Sequence, residues 1–355
     1  MRAGGFILSV SPLSCYSWLI MADARPIHTI ALFPKLQADT AAAVYILKAF
    51  GETAFPGIRN AQMVFWSASK EGKTPAQWEQ EGYLLIDLGG QFDHHHANQE
   101  SGRRTECVAT LVAKHLGVEN HPALKKLLAW AKRDDLEGKG TISPDALDRA
   151  FGLSGIIMSL NREYAANPTR TLNILLEIIH AHVREEFRRQ VEFPQEWQTL
   201  QKTGKGKLLN LKQGNAELRA AILESDNTSL PGFLRAAEDV DLIVQRRSSG
   251  HTNIITKQLR SIDLKPVVAA IRRAEAQATS VGLNLEQAEW EKPGRVEALP
   301  MWFYDDAANT LQNGGVSPQD IPPTRLSLDQ IVTILNTEIP KGVIGSLKRK
   351  KEQGQ

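Results

Sequence analysis

Residues 83–96 read YLLIDLGGQFDHHH, and this run sets the fold class of the N-terminal half of the chain. Its first part, Tyr83 to Leu88, is almost wholly apolar and is broken by Gly89-Gly90. That pattern is typical of a buried parallel strand with a loop at its carboxyl end. Three of the chain's nine histidines follow in a row. Open α/β sheets bind ligands beyond the carboxyl ends of their strands, so the run predicts a functional loop.

Strand and helix signals alternate on both sides of this loop. Strand formers occupy Ile27 to Phe33 and Gln62 to Trp66, and Ala38 to Phe50 has apolar residues at helical spacing before Gly51. This alternation predicts an α/β domain with a parallel sheet over residues 25–165.

The rest of the chain predicts three further parts. A long amphipathic pattern indicates a connecting helix within 166–200, and a smaller α/β substrate-binding domain follows over 201–280. Residues 281–355 are rich in turn signals, so we expect a tail that packs on the domains and ends in a basic C-terminus. The predicted fold is therefore α/β, with an N-terminal parallel-sheet domain, a helical connector and a smaller C-terminal α/β domain.

The ends of the chain have compositions of their own. Within residues 1–24, the stretch 6–20 is apolar over the length of a signal h-region, and Met21 resembles a cytosolic start. The segment is therefore either an upstream extension without a role or a cleaved signal. Lys348 to Lys351 are four basic residues in a row, which indicates a solvated tail or a weak polyanion contact.

Composition excludes several classes of protein. The 355 residues include 42 basic and 40 acidic side chains, so no global basic field attracts nucleic acid or membrane. Two cysteines, Cys15 and Cys107, exclude a disulfide framework and a Cys-rich zinc module, and the expected compartment is the cytoplasm. Apart from the N-terminal stretch, no segment is apolar enough to cross a membrane. The oligomeric state stays open, and a homodimer is one option.

The aspartates and histidines of the loop are the candidate metal ligands. Carboxylate oxygens and imidazole nitrogens are the donors that Mn²⁺, Zn²⁺ and Fe²⁺ share. Consecutive histidines cannot all point at one ion, so we expect one ligand, one substrate contact and one bystander. The alternative is a polar loop held by structural hydrogen bonds.

The loop also resembles a known family. Asp93-His94-His95 is similar to the signature triad of the DHH phosphoesterase superfamily. The preceding Asp87-Leu88-Gly89-Gly90 makes it most similar to the MYG1 branch, whose members read D-x-G-G, a short insert and then the triad. The resemblance covers about residues 27–160.

This resemblance implies a set of roles. Asp87 would bridge two metals, His94 and Asp135 would complete one metal site, and Asp39 would hold the other metal. His95 would face the scissile phosphate, and a water activated between the two cations would attack phosphorus in line. Asp134 is the alternative to Asp135, because one step at a helix end turns a side chain by about 100°.

The first metal motif departs from the family pattern. Superfamily members have a histidine and a second aspartate where this chain has Lys35 and Ala41, and the MYG1 branch has histidines at the positions of Leu32 and Gln37. The site would then work with one metal, or with a second brought by the substrate, or with Lys35 in place of a cation. It could also bind a ligand without turning it over.

A second polar loop lies between two predicted strands in the C-terminal half. Arg246, Arg247, Ser249, Gly250 and His251 are candidate substrate-binding residues, because guanidinium groups and converging backbone N–H groups bind phosphate. This loop resembles the glycine-and-histidine loop that many DHH proteins carry in a C-terminal substrate domain. The alternative is a polar hairpin without a ligand.

These observations lead to one functional hypothesis and two alternatives. We expect a metal-dependent, nuclease-like phosphoesterase that hydrolyses a phosphodiester or phosphoanhydride in a nucleotide or short oligonucleotide. A divalent metal is the expected cofactor, with Mn preferred and Mg, Zn or Fe compatible. The first alternative is a non-catalytic nucleotide-binding sensor derived from such an enzyme, and the second is a structural metal-binding loop.

Overall fold

The computed structural model describes residues 26–67, 72–95, 105–138, 143–314 and 320–343. It is a mixed α/β protein with one parallel sheet and one larger mixed sheet, which confirms the predicted fold class. The segment 1–24, His96 and the basic run Lys348 to Lys351 lie outside the described residues. The chain divides into two compact units, and the boundary in the sequence lies between Gln190 and Val191.

The first unit is built on a three-stranded parallel sheet. Its strands are β1 (Thr29–Leu32), β2 (Gln62–Phe65) and β3 (Tyr83–Leu85), in the order β2-β1-β3. All four residues of the central strand β1 are buried, as expected for a strand covered on both faces. Because β1 and β3 are parallel neighbours, the segments that follow them leave the same edge of the sheet.

Seven α-helices lie in the described part of the first unit. They are α1 (Ala38–Phe50), α2 (Pro75–Gln80), α3 (Val108–His115), α4 (Lys125–Arg133), α5 (Ala146–Phe151), α6 (Leu153–Glu163) and α7 (Pro168–Phe187). Helix α1 has the predicted bounds, and every residue of its first ten is buried. A helix that is buried on all sides lies at the centre of its core, and α1 packs there with the apolar faces of α3, α4 and α7.

The predicted connector is shared between the two units. Helix α7 buries Leu172, Leu175, Ile179 and Val183 in the core of the first unit, and this spacing places them on one face. A π-helical turn, Arg188–Glu192, follows, and then helix α8 (Phe193–Lys202) packs its apolar side chains in the second unit. An amphipathic pattern in the sequence shows that a helix packs against a core, but it does not show which of two cores that is.

The second unit has a seven-stranded sheet with the order β4-β5-β6-β7-β10-β9-β8. Among the strands that the structure describes in this sheet, only β5 and β6 pair in parallel. The strands are β4 (Gly206–Gln213), β5 (Ala216–Glu224), β6 (Leu242–Arg246), β7 (Thr252–Thr256), β8 (Gly294–Val296), β9 (Leu299–Asp305) and β10 (Thr310–Asn313). Its helices are α9 (Leu230–Ala237), α10 (Lys265–Ala278), α11 (Gln287–Glu291) and α12 (Leu328–Glu338).

The described part of residues 281–355 differs from the turn-rich tail that the sequence predicts. Strands β8, β9 and β10 extend the sheet of the second unit, and α12 packs in its core. The strands are short and separated by turns, so the turn signals dominate the pattern. In β9, Trp302 and Tyr304 alternate with more exposed residues and are buried. With these strands included, the second unit has the larger of the two sheets.

Across the described ranges, none of the helices combines the length and the apolar character that a bilayer crossing requires.

Candidate metal centre

Two segments that leave the same sheet edge bring the first two carboxylates together. Asp39 lies in the first turn of α1, shortly after β1, and Asp87 lies two residues beyond β3. Asp39 is only 1% exposed, and its Oδ2 accepts a long hydrogen bond of 3.4 Å from the backbone N–H of Val108 at the start of α3. No hydrogen-bond partner for its Oδ1 is present among the described residues.

The turn after β3 has an unusual backbone. Asp87 has a φ of +55°, and Gly89 and Gly90 have φ values of +85° and +87°. A non-glycine residue in this left-handed region stores strain of about 1 kcal/mol or more, which is common at functional sites. The N–H of Asp87 donates to the carbonyl of Phe92 at 3.2 Å and closes the turn, so the chain returns to place His94 beside Asp87.

His94 lies between two carboxylates. Its Nδ1 is 2.8 Å from Asp87 Oδ1, and its Nε2 is 3.3 Å from Asp135 Oδ2. Burial favours the neutral ring, but the hydrogen bond with Asp87 and the charges of the three aspartates outweigh it and raise the pKa of His94. The ring therefore carries positive charge more readily than a free imidazole, and a cation could supply that charge instead.

The structure selects Asp135 as the fourth residue of the cluster. A π-helical turn, Asp134–Gly138, follows α4 and directs the Asp135 carboxylate at His94. Asp134 is buried but does not join the group of possible ligands.

Two groups of three donor atoms, which share His94, could each hold a small divalent ion. One ligand atom from each of Asp39, His94 and Asp135 lies within 4.8 Å of the others, and the same holds for Asp87, His94 and His95. Ligands bound at about 2.1 Å to one ion stand roughly 3 to 4 Å apart, so the donor atoms of each group approach the spacing that one ion requires. Burial, with the charges of Asp87 and Asp135, raises the pKa of Asp39 to about 7. A cation would relieve this repulsion, and the unpaired Oδ1 of Asp39 is a donor for it.

His95 differs from His94 in its exposure. The two rings are tilted by 30° with their centroids 4.1 Å apart, but the side chain of His95 is 58% exposed. Asp93 Oδ1 is 3.0 Å from both the backbone N and Nδ1 of His95. Burial opposes the ionisation of Asp93, but the hydrogen bonds from His95 and from the N–H of Gly89 outweigh it and lower the pKa of Asp93. Asp93 thus orients His95. In the sequence, the only indication of this role is that Asp93 stands two residues before His95.

Asn161 is a residue that sequence reasoning missed. Its side-chain oxygen accepts from the N–H of Leu36 at 3.2 Å, and its side-chain nitrogen donates to the carbonyl of Leu36 at 2.8 Å. This two-point contact joins α6 to the loop that leads into α1 and Asp39. The two residues are far apart in the chain, and no sequence pattern connects them.

The first motif adds no further ligand to the described cluster. Lys35 is exposed and Gln37 is half-buried, and neither belongs to the groups of possible ligands. The Asp39 end of the cluster therefore has one carboxylate where the family pattern has imidazoles as well.

The predicted substrate loop is a tight hairpin in the second unit. Arg246 donates to the carbonyl of Leu326 at 2.8 Å, and His251 is 7% exposed with its Nε2 2.8 Å from the carbonyl of Ile321. His251 Nδ1 is 2.9 Å from Ser249 Oγ. The hairpin is further closed by a bond from the N–H of Gly250 to the carbonyl of Arg247 at 2.9 Å. These groups form hydrogen bonds with other groups of the second unit. This favours the interpretation as a hairpin without a ligand over a phosphate site.

Comparisons with known proteins add little to this geometry. No protein-family model matches the chain, and no curated protein sequence matches it. Among solved structures, the crystal structure of an uncharacterized protein from Helicobacter pylori G27 aligns at 12% sequence identity with a TM-score of 0.23. That alignment covers 64% of this chain and 86% of the other, and a TM-score this low supports no argument about fold or function.

Proposed function

We propose that this chain is a metal-dependent phosphoesterase that hydrolyses a phosphodiester or phosphoanhydride in a nucleotide or short oligonucleotide. The observation that carries the proposal is the position of His94, between Asp87 and Asp135 and beside the buried Asp39. Buried carboxylates this close together repel one another, and a divalent cation neutralises them. We propose Mn²⁺, because most donors are carboxylate oxygens and one is an imidazole; Mg²⁺, Zn²⁺ and Fe²⁺ suit the same set.

Each residue of the site has a distinct task in this proposal. Asp39, Asp87, His94 and Asp135 would hold the cation. When bound, the cation supplies Lewis-acid polarisation of a phosphoryl oxygen and a more acidic water. Asp93 engages Nδ1 of His95, which leaves Nε2 of this exposed ring to contact a phosphoryl oxygen or pass a proton to the leaving group.

The size of the substrate follows from charge. With 42 basic and 40 acidic residues, the chain has no general attraction for long polyanions. A nucleotide or short oligonucleotide needs only local contacts. The hydrogen bonds of Arg246 and His251 within the second unit argue against these two residues as the main phosphate contacts.

The test is hydrolysis by the purified chain of 355 residues. After removal of metal with EDTA, the protein is assayed with added Mn²⁺ on bis(p-nitrophenyl) phosphate and on a dinucleotide. We expect turnover that His94→Ala abolishes and that His95→Gln lowers by roughly 100-fold. His182→Ala, which replaces an exposed histidine on α7, is the matched control and should leave the rate unchanged.

The sensor function remains a second candidate because Lys35 and Gln37 supply no imidazole beside Asp39. It predicts tight binding of a nucleotide without turnover under Mn²⁺, Mg²⁺, Zn²⁺ or Co²⁺. Calorimetric titration with a nucleotide, run beside the hydrolysis assay, separates the two. Binding without hydrolysis in every metal would overturn the phosphoesterase proposal in favour of the sensor.

A further inference from the structure

Helix α2 lies against the glycine pair, Gly89 and Gly90, in the loop that carries the candidate metal ligands. A Cβ placed on Gly89 would lie 3.1 Å from Pro75 Cγ, and one placed on Gly90 would lie 3.2 Å from Pro75 Cβ. Both distances are shorter than ordinary van der Waals contacts. The glycines therefore do more than allow a left-handed backbone, because they also let the ring of Pro75 approach the loop closely.

Helix α2 is fixed by its cap and by one aromatic side chain. Thr74 Oγ1 accepts from the N–H of Gln77 at 3.3 Å, and the N–H of Thr74 donates to Gln77 Oε1 at 2.7 Å. This capping box encloses Pro75, the first residue of the helix, whose ring holds φ at a helical value. Trp78 packs its ring 5.0 Å from that of the buried Trp66. The helix therefore presents the proline ring to the glycine pair from a fixed position.

The glycine pair in turn holds Asp93. The N–H of Gly89 donates to Asp93 Oδ2 at 3.1 Å, and the N–H of Asp93 donates to the carbonyl of Gly90 at 3.3 Å. The other carboxylate oxygen, Asp93 Oδ1, is the atom that lies 3.0 Å from both the backbone N and Nδ1 of His95. A displacement of the pair would therefore move Asp93 and, through it, the ring of His95.

The metal ligands of the same loop are held by other contacts. The N–H of Ile86 donates to the carbonyl of Ala31 at 3.1 Å, which extends the pairing of β3 with β1 up to Asp87. His94 is fixed in turn by its contact with Asp87. A displaced glycine pair should therefore disturb the exposed histidine and leave the cation site in place.

We propose that Pro75 is a positioning residue for His95. Its ring holds the glycine pair, and the pair fixes Asp93, which orients the imidazole. The catalytic part of this inference rests on the phosphoesterase proposal, in which Nε2 of His95 contacts a phosphoryl oxygen or passes a proton to the leaving group. The part that concerns orientation is independent of that proposal, because it can be measured without a substrate.

Amide hydrogen exchange of the whole chain tests the orientation. Pro75→Gly removes both contacts with the pair, whereas Pro75→Ala keeps the Cβ that faces the second glycine and loses the ring atom that faces the first. The N–H groups of Gly89 and His95 both bond to Asp93, and we expect them to exchange roughly 10-fold faster in Pro75→Gly. The increase should be smaller in Pro75→Ala. Pro168→Gly is the matched control, because Pro168 also stands at the start of a helix, α7, and its replacement should leave both groups unchanged.

Kinetics with Mn²⁺ and a dinucleotide test the catalytic part. Pro75→Gly should lower kcat by roughly 10-fold, and KM and the dissociation constant for Mn²⁺ should stay within about twofold of wild type, because a misplaced catalytic group slows the chemical step. In a His95→Gln background, Pro75→Gly should cause little further loss, since a residue that acts through another has no effect once the other is gone. Pro168→Gly should leave kcat unchanged in both backgrounds.

The possible results separate the two parts. Unchanged exchange at Gly89 and His95 in Pro75→Gly would overturn the positioning role, whatever the activity of the chain. In an active chain, an unchanged kcat would overturn the catalytic part, as would an equal loss of kcat with and without His95. A wild-type chain without turnover in any metal would overturn the phosphoesterase proposal and the catalytic part together, and the exchange experiment would still decide the orientation.

Discussion

The ring of His94 is 2.8 Å from Asp87 Oδ1, and Asp87 reaches it from a left-handed backbone with a φ of +55°. The position of the carboxylate thus depends on a conformation that most side chains avoid. Aspartate and asparagine tolerate this region better than other non-glycine residues. Charge and backbone conformation at this position can therefore be separated by substitution.

Asp87→Asn should keep the fold and lose the metal. Asparagine accepts the same backbone, so the melting temperature without metal should remain close to that of wild type. At 100 times the dissociation constant, a bound ion contributes about 2.7 kcal/mol to the free energy of unfolding, and the variant should lose most of this gain. Thermal melts with and without Mn²⁺ measure both effects. Asp87→Ala is the comparison, since it should also destabilise the metal-free chain; an unchanged Mn²⁺ response in Asp87→Asn would remove Asp87 from the site.

Asn161→Ala should weaken metal binding from a distance. It removes both hydrogen bonds to the backbone of Leu36, each worth about 1 kcal/mol, and frees the loop before Asp39. Calorimetric titration with Mn²⁺ should show an affinity several-fold lower. Asn173→Ala, an exposed asparagine on α7, is the control. A lower melting temperature with unchanged Mn²⁺ affinity would show that Asn161 stabilises the fold without positioning Asp39.

His121 should make the first unit less stable in mild acid. Its ring packs 5.3 Å from Phe50 and 6.4 Å from Phe187, and burial lowers the pKa of His121. Below about pH 6.5 the unfolded chain binds the proton more readily, so the free energy of unfolding falls as pH drops through the folded pKa. Urea unfolding at pH 7.5 and 5.5 measures this free energy. We expect it to be higher for His121→Phe, relative to wild type, at pH 5.5 than at pH 7.5. An equal difference at both pH values would contradict this role.

Arg246→Ala distinguishes a structural hairpin from a phosphate site. Because Arg246 donates to the carbonyl of Leu326, its loss should lower the melting temperature and leave KM for the aryl phosphodiester unchanged. Arg325→Ala, an exposed arginine beside the acceptor residue, should change neither quantity. A higher KM with an unchanged melting temperature would restore Arg246 as a substrate ligand.

The sequence predicts the fold of the first unit well because its signals are local. The helix at Ala38 to Phe50 has strong helix formers and a glycine stop, and the apolar run before Asp87 can form only a buried strand or helix segment. The second unit is harder to predict. The strands near Trp302 are short, and only pairing with strands elsewhere in the chain distinguishes them from turns.

The candidate site is predictable where its residues follow one another and not where they meet across the fold. The loop from Asp87 to His95 has its ligands in one stretch, so its composition reveals them. The choice between Asp134 and Asp135 depends on a π-helical turn, which no residue pattern in the sequence predicts. The contact between Asn161 and Leu36, and the internal bonds of Arg246, arise only from tertiary packing.

The parallel sheet of the first unit also constrains when the cluster can form during folding. The pairing of β3 with β1 brings Asp87 and His94 to the cluster, and the packing of α4 on α1 brings Asp135 to Asp39, so the full set of donors exists only when both contacts have formed. A nascent or truncated polypeptide that ends before α4 would contain the histidine triad without the completed cluster. The complete site would therefore bind the ion after this unit has folded, and ion binding would not nucleate its folding.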